Sequence, residues 1–245
     1  MNLNIVGKLE DLAPGEQIYS ARFMGDRCYV VTFRNIDPLF VIDLTDPTAP
    51  KVLGQLKVTG YSGYLHPYDE NHIIGIGKET DYDAKKDFSW YQGVKISLFD
   101  VSDVSNPVEL AKYEIGDRGT GSPVLWDHKA LLFDKARNLL VIPVMEAKID
   151  PNQYDEEIPD WAYGEPVWQG AYVFDISLDG LELRGRITHI DDNADLLERG
   201  YYYFGSNYAV QRSLYIDDVL YTISSMKVKM NSLETLAEIN AVELS

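Results

Sequence analysis

The residues of this chain that could do chemistry are its serines, histidines and carboxylates, but the short motifs that organise them for catalysis are missing. The sequence contains no G-x-S-x-G, no glycine-rich phosphate loop and no H-E-x-x-H. Ser20 and His128 are the one pair that suggests a nucleophile and a base. They could meet near the mouth of a central channel, but nothing else in the sequence supports a dyad, so we predict no catalytic residue.

Carboxylates give a stronger metal prediction. The run D-D-N-A-D supplies the oxygen ligands that Ca²⁺ prefers, and a second acidic run begins at Asp155. Neither run follows an EF-hand loop, because no glycine at the sixth position is followed by a closing glutamate. We predict no organic cofactor, with Ca²⁺ as the one ion for which the sequence supplies a ligand set. The predicted metal ligands are Asp191, Asp192, Asn193 and Asp195.

Aromatic residues are concentrated in three long polar segments, 79–93, 146–169 and 190–208. Rings beside carboxylates predict a platform for a glycan, a cationic peptide or a neighbouring subunit. The alternative is that the rings form local cores that hold long loops against the sheets. The candidate binding residues are Tyr82, Trp90, Tyr91, His128, Trp161, Tyr163, Trp168 and Tyr202.

The elements that position these residues are predicted by a repeat. "VIDLTD" at 41–46 matches "LFDVSD" at 98–103, and in both copies a proline follows four residues later. A looser copy, "VFDIS", begins at Val173. Each copy reads as an apolar strand that ends at an aspartate able to cap backbone amides, followed by a turn and another strand.

A second pattern, two apolar runs joined by a short polar turn, lies before each copy and occurs once more near the C-terminus. Together they give four sets of four antiparallel strands, A to D, at 17–58, 62–116, 127–190 and 208–244. Repeats of this length and content are typical of propeller blades. We predict an all-β protein, one β-propeller domain or propeller fragment over residues 1–245, with about four blades.

One strand is left over at the N-terminus. Residues 3–12, "LNIVGKLEDL", are similar to the fourth strands "KVLGQLKV" and "LELRGRITHI". The last set has its own fourth strand, so the extra one either closes the ring or belongs to a larger propeller. It could also pair with the edge of another chain, which would make a homo-oligomer.

In a blade, the B–C and D–A connections lie on one face, and all the long segments of this chain are connections of these two kinds. Binding usually occurs on long structured loops carried by a rigid scaffold. We therefore predict one elaborated face.

The four histidines do not form the pattern of a zinc site. His66 stands three residues before the A–B turn at Asp69, where the other sets have Phe23, Leu131 and Leu214. This apolar row predicts a core histidine. His128 falls in a small or polar row with Ser20, Gly63 and Gln211, which could border a central channel.

Composition excludes some partners. The chain has 39 acidic and 22 basic residues and a formal net charge of −17, so no basic surface is expected for nucleic acid. No apolar run approaches the roughly 20 residues of a membrane helix, so we expect no membrane insertion by this chain. The single cysteine, Cys28, lies in an apolar run and predicts a buried, inert thiol.

The ordered segments resemble a family of secreted prokaryotic, largely archaeal, proteins with a C-terminal β-propeller domain distantly related to WD repeats. The resemblance runs from "LNIVGKLEDL" through "YLHPYDENHIIGIG" and "VKISLFDVSDVSNP" to "LETLAEINAVEL" and covers essentially the whole chain. It implies an extracellular or cell-surface location and implies no reaction.

The leading functional hypothesis is a non-catalytic propeller that binds a protein or a glycan on its long-loop face. Two alternatives remain at this stage. One is a hydrolase or lyase at the mouth of the channel, which predicts a deep pocket and shifted carboxyl pKa values. The other is a structural subunit that assembles through the N-terminal strand.

Overall fold

The computed structural model contains four antiparallel sheets of four strands each, and it describes residues 4–33, 37–83, 87–155, 157–190 and 205–244. The only helices in these ranges are single 3₁₀ turns. In every sheet the strands are hydrogen-bonded in chain order, so each sheet is a meander. The prediction of an all-β protein with four blade-like sheets is confirmed.

Sheets 1 and 2 contain the first eight strands. Sheet 1 consists of β1 (Gln17–Met24), β2 (Arg27–Phe33), β3 (Asp37–Asp43) and β4 (Lys51–Val58). Sheet 2 consists of β5 (Tyr61–Pro67), β6 (His72–Asp83), β7 (Phe88–Asp100) and β8 (Val108–Ile115).

Sheets 3 and 4 contain the remaining eight strands. Sheet 3 consists of β9 (Leu132–Asp134), β10 (Leu139–Lys148), β11 (Glu165–Ser177) and β12 (Gly180–Ile187). Sheet 4 consists of β13 (Arg212–Ile216), β14 (Val219–Ile223), β15 (Lys227–Ser232) and β16 (Glu238–Glu243).

The chain divides into two compact units. The first unit comprises Met1–Tyr91 and Lys95–Lys112 and holds sheet 1 and most of sheet 2. The second comprises Gln92–Val94 and Tyr113–Ser245 and holds sheets 3 and 4. Each unit has its own apolar core, and we describe each by itself.

The core of each unit forms where two sheets meet face to face. In the first unit, Tyr29 and Val41 of sheet 1 pack in one cluster with Ile73 and Phe99 of sheet 2. In the second unit, residues of sheet 3 form the equivalent cluster with residues of sheet 4. The middle strands β2 and β10 are buried at all but one residue each, and β11 is buried from Gln169 to Phe174, as expected for strands covered on both faces.

The repeated aspartates cap the turns between third and fourth strands. Asp46 Oδ1 accepts hydrogen bonds from the backbone N–H of Thr48 at 2.9 Å and from its hydroxyl at 2.6 Å. Asp103 Oδ1 accepts the same two bonds from Ser105, at 3.1 and 2.7 Å. These bonds hold the pKa of both carboxyl groups below its ordinary value, so both remain ionised at neutral pH. The interpretation of these aspartates as turn caps is confirmed.

The capped turn of sheet 2 rests against a glycine of sheet 1. A Cβ atom added at Gly54 in β4 would lie 2.2 Å from the carbonyl oxygen of Val104 and 2.9 Å from the Cα of Ser105. Real Cβ atoms do not approach backbone this closely, so the contact between these two sheets requires glycine. A β-bulge at the same place, where Val41 pairs with Gly54 and Ile42 with Val52, bends β4.

The N-terminal segment is not a hydrogen-bonded strand in the described range, which begins at residue 4. Its side chains nevertheless pack on sheet 1, where Leu9 and Leu12 cover a cluster that includes Val30 and Phe40. The similarity to the fourth strands that suggested a strand therefore corresponds to side-chain packing on sheet 1, and residues 4–11 have no strand assignment.

Two predicted loops are partly strand. Within 79–93, β6 continues to Asp83 and β7 begins at Phe88, and within 146–169 only 149–164 lies outside strands. Ser89 and the continuous run Gly93–Phe99 of β7 are buried, so the start of this strand is covered by other elements as a strand would be. Conversely, β9 is only three residues long. Ahead of it, Ser122 and Asp127 cap two 3₁₀ turns, Pro123–Leu125 and His128–Ala130, in place of a strand.

We expect Gly54→Ala to destabilise the protein by about 1–3 kcal/mol, because the new methyl group must displace the backbone at Val104. Gln55→Ala is the control, since Gln55 is exposed on the same strand and should change stability by about 0.5 kcal/mol or less. Urea denaturation gives both values. Equal stability of the two variants would contradict the required contact.

Candidate functional site

The candidate binding residues fall in both units. Tyr82, Trp90 and Tyr91 belong to the first unit, and the second unit holds His128, Trp161, Tyr163 and Trp168. Tyr202 and the predicted calcium ligands lie outside the described residues, so their predictions stay untested. The predicted calcium ligands are Asp191, Asp192, Asn193 and Asp195.

In the first unit, Tyr91 belongs to a cluster of four rings. Its ring centroid lies 5.4 Å from that of Tyr61 and 5.7 Å from that of Phe33, and its hydroxyl lies 3.1 Å from the hydroxyl of Tyr19. The Tyr19 and Tyr61 centroids are 4.6 Å apart. The cluster joins the starts of β1 and β5 to the end of β2, so it serves as a local core. Sequence reasoning missed its other members because they lie in ordinary strand segments.

The other two candidates of this unit contact their own hairpin. Trp90 is half-buried and packs edge-to-face on Phe88, with ring centroids 4.8 Å apart. The Tyr82 hydroxyl donates to Asp87 Oδ1 at 3.0 Å, which links the two strands near the tip. These contacts favour the interpretation that the rings stabilise the hairpin β6–β7.

In the second unit, Trp168 on β11 is covered by an arginine. The guanidinium of Arg186 lies 4.7 Å from the Trp168 ring centroid and 5.6 Å from that of Tyr172. Trp168 also packs edge-to-face on Tyr172, with centroids 5.2 Å apart. Trp168 is therefore part of the sheet's own packing, and little of its ring face is left for a ligand.

A carboxylate fixes this arrangement. Glu146 Oε2 accepts a hydrogen bond from the Tyr172 hydroxyl at 2.7 Å and from Arg186 Nη1 at 2.9 Å. Burial, together with the bond to Glu146, raises the pKa of Tyr172. Lys148 adds a weaker ion pair, with its Nζ 3.7 Å from Glu146 Oε1. The cluster is mutually satisfied, as a structural polar network should be.

The loop 149–164 between β10 and β11 is anchored at both ends. Asp150 caps the 3₁₀ turn Pro151–Gln153, and the Ile149 N–H donates to Asp117 Oδ2 at 2.8 Å. At the other end, the Gly164 N–H donates to the carbonyl of Arg118 at 2.7 Å. The loop is thus anchored to the connection that precedes sheet 3.

The tip of this loop exposes apolar side chains. The Ala162 N–H donates to the Pro159 carbonyl at 2.8 Å, and this tight turn presents Trp161, which is 59% exposed. Ile158 is 45% exposed and Tyr163 is 41% exposed, with the Arg118 guanidinium 5.5 Å from the Tyr163 ring. We call residues 158–163 the tip patch. The exposed carboxylate of Glu157 borders the tip patch, and the exposed carboxylate of Asp160 lies within it.

His128 lies on the second 3₁₀ turn before β9 and is exposed. Its neighbour Asp127 forms an ion pair with Arg212 of sheet 4. Trp126, between the two 3₁₀ turns, is 65% exposed and is a candidate that sequence reasoning missed. Its one sequence signal was a tryptophan directly after a proline-containing turn, which does not distinguish exposed rings from buried ones.

The row of residues that predicted a core position for His66 is not buried. Phe23 is 69% exposed and Leu214 is 40% exposed, because both lie on the first strands of their sheets. His66 itself is partly buried and is paired: its Nδ1 lies 2.9 Å from the Tyr64 hydroxyl. Burial, with the Arg22 cation as a second cause, lowers the pKa of His66 to about 4.

No group of three metal-ligating side chains is found among the described residues. The same part of the chain has no helix that is long and apolar enough to cross a membrane. Cys28 is buried, as predicted, and burial raises the pKa of its thiol.

Comparison with known proteins gives a family. The model of the beta propeller domain matches residues 1–236. An uncharacterised protein of Methanocaldococcus jannaschii is 49% identical over 142 residues, which cover 58% of this chain and 21% of the relative. One of Archaeoglobus fulgidus is 33% identical over 240 residues, or 97% of this chain and 30% of the relative. The chain therefore spans less than a third of the length of either relative.

Solved structures align with this chain at much lower sequence identity. The propeller domain of Nup133 from Vanderwaltozyma polyspora aligns with a TM-score of 0.40 and 8% identity, covering 96% of this chain and 58% of that one. Sqt1 of Saccharomyces cerevisiae aligns with a TM-score of 0.38 and 10% identity, covering 94% and 64%.

We expect Glu146→Ala to reduce the unfolding free energy by about 1–3 kcal/mol, because it leaves the buried Tyr172 hydroxyl without its acceptor and Arg186 without its carboxylate partner. Glu182→Ala, an exposed carboxylate on the neighbouring strand β12, is the control. If thermal or urea unfolding showed the same loss for both, the cluster would not be a stabilising network.

The low pKa of His66 gives a pH prediction. The folded pKa of about 4 lies below the ordinary value of 6.5, so the stability due to neutral His66 is fully present above pH 6.5 and decreases as the pH falls towards 4. An NMR titration of the His66 ring should have its midpoint near 4. Arg22→Gln should raise that midpoint, and Arg27→Gln should not. A midpoint near 6.5 in the unchanged protein would contradict the prediction.

Proposed function

Because the chain belongs to the beta propeller domain family, we propose that it is a non-catalytic binding scaffold. We propose further that the tip patch of the second unit binds a polypeptide segment that carries lysine or arginine. The proposal rests mainly on one observation, the exposure of Trp161 on a loop whose backbone is fixed at both ends.

A preorganised, exposed tryptophan is the type of residue that dominates binding free energies. Interface hot spots are enriched in tryptophan, tyrosine and arginine, and a rigid backbone lowers the ordering entropy that binding must overcome. Trp161 has 59% of its surface exposed, whereas the half-buried Trp168 is covered by Arg186. The two tryptophans of this segment therefore have different roles, and only Trp161 is free to act as an anchor.

The chemistry around Trp161 favours a cationic polypeptide over a glycan. Ile158 adds an aliphatic surface that suits apolar side chains. Glu157 and Asp160 add negative charge, and an indole face attracts ammonium and guanidinium groups. The net charge of −17 would also accelerate the encounter with a cationic partner.

The carboxyl groups support binding rather than hydrolysis. Every carboxyl pKa shift resolved in the described residues is downward, as for Asp127 and Asp134. Such groups stay ionised at neutral pH, whereas a general acid needs a pKa raised towards neutrality. The proposed location is the cell surface or the exterior, as the resemblance of the sequence implies, where the partner would be another surface protein.

The test is an array of immobilised decapeptides that vary in lysine, arginine and apolar content, probed with the labelled chain beside a glycan array. Cationic peptides with an apolar residue should bind, and higher salt should weaken the binding. Trp161→Ala should weaken it by about 30-fold, the size of a hot-spot loss.

Trp126→Ala is the matched control, since this tryptophan is 65% exposed and lies outside the tip patch. It should leave peptide binding unchanged. Glycan binding without peptide binding would contradict the proposed partner. Equal binding by the Trp161→Ala variant would contradict the proposed surface.

A further inference from the structure

The N-terminal segment contacts sheet 1 in the same way that β4 contacts sheet 2. A Cβ atom added at Gly7 would lie 2.2 Å from the carbonyl oxygen of Pro47 and 3.0 Å from the Cα of Thr48. At Gly54 the corresponding distances are 2.2 Å to Val104 and 2.9 Å to Ser105. Both glycines therefore lie on an aspartate-capped turn, at the same residue of the repeat.

The segment thus occupies the position of a fourth strand, but it has no third strand beside it. β4, β8, β12 and β16 each pair with the third strand of their own sheet, so the four third strands of the described chain are already used. Residues 4–11 have no strand assignment. Ile5 and Val6 are 78% and 64% exposed, although both are residues that favour strands.

The repeated bulge defines the register of the missing partner. Val41 pairs with Gly54 and the next residue pairs with Val52, so the residue between them is bulged. Sheet 3 repeats this pattern, with Val173 opposite Gly185 and Phe174 opposite Leu183. Applied to the N-terminal segment, the same register places two consecutive partner residues opposite Gly7 and Ile5.

We propose that residues 4–10 are a docking edge for one further β-strand of third-strand type, supplied from outside the described sheets. Its predicted pattern is two apolar residues followed by aspartate, as in Val41-Ile42-Asp43 and Leu98-Phe99-Asp100. Pairing would convert the segment into the fourth strand of an additional sheet. This is strand addition at a preformed edge, in which the backbone gives affinity and the side-chain pattern gives specificity. It does not depend on the proposed peptide binding at the tip patch.

The test is a fusion that supplies such a strand to the whole chain. A second copy of residues 61–106 is joined directly to Leu3, which places Asp100 of the copy eleven residues before Gly7, as Asp43 stands eleven residues before Gly54. Amide hydrogen exchange of residues 4–10 is measured in the chain with and without the fusion. We expect at least a 100-fold slowing of the alternate amides of residues 4–10 that face the added strand, because those amides become hydrogen-bonded only when the strand is added.

Lys8→Pro is the matched control, made in both proteins. Proline cannot donate a ladder hydrogen bond, so it should abolish the protection in the fusion and leave the stability of the unfused chain unchanged. Unprotected residues 4–10 in the fusion, including a case where the added copy stays unfolded on an otherwise folded chain, would overturn the proposal.

Two outcomes would replace the proposed occupant. Protection in the unfused chain, together with a dimer mass in sedimentation, would show that a second copy covers the edge. Protection of β16 rather than residues 4–10 in the fusion would show that the free edge of sheet 4 takes the strand. β16 is already paired with β15 and carries Glu238 and Glu243 in ion pairs with that strand, so we expect no change there.

Discussion

The first unit depends on one close approach, between the carbonyl oxygen of an aspartate-capped turn and a glycine of the segment that packs on the turn. In the first unit this contact occurs twice, at Gly7 and at Gly54. The aspartate fixes the turn by accepting two hydrogen bonds, and the glycine lets the turn reach the strand. A side chain in place of the glycine would prevent this approach, because its Cβ atom and the carbonyl oxygen would overlap. The capped turn thus docks twice in the first unit, once between sheets 1 and 2 and once between sheet 1 and the N-terminal segment.

The fold was easier to predict from the sequence than the candidate site. The capping aspartates, the strand alternation and the repeat are local signals, and they predicted the four sheets. The extent of β6 and β7 was not predictable, because Ser89 and Lys95 are polar and become buried only through tertiary contacts. The environment of His66 was not predictable either, because Phe23 and Leu214, which hold the same position in other repeats, are exposed. The position of a residue in the repeat predicts on which face of the strand its side chain lies. It does not predict whether another element covers that face.

The candidate binding residues show more clearly that the sequence does not predict the surroundings of a side chain. Trp161 and Trp168 lie seven residues apart in one acidic, aromatic segment, and the sequence gives them the same prediction. They differ because Arg186, on a neighbouring strand, covers Trp168, whereas the tight turn at Pro159 points Trp161 away from the sheet. The two rings of this segment therefore differ: Trp168 packs in a local core, whereas Trp161 is exposed and is the anchor that we propose for a partner.

The most direct test of the central contact is a pair of nuclear Overhauser effects measured in the same spectrum. The account predicts a cross-peak between the α-protons of Gly7 and Thr48, and an equally strong one between those of Gly54 and Ser105, since both glycines approach their turns to the same distance. A strong Gly54–Ser105 peak without a Gly7–Thr48 peak would contradict it, because the N-terminal segment would then not occupy the position of a fourth strand.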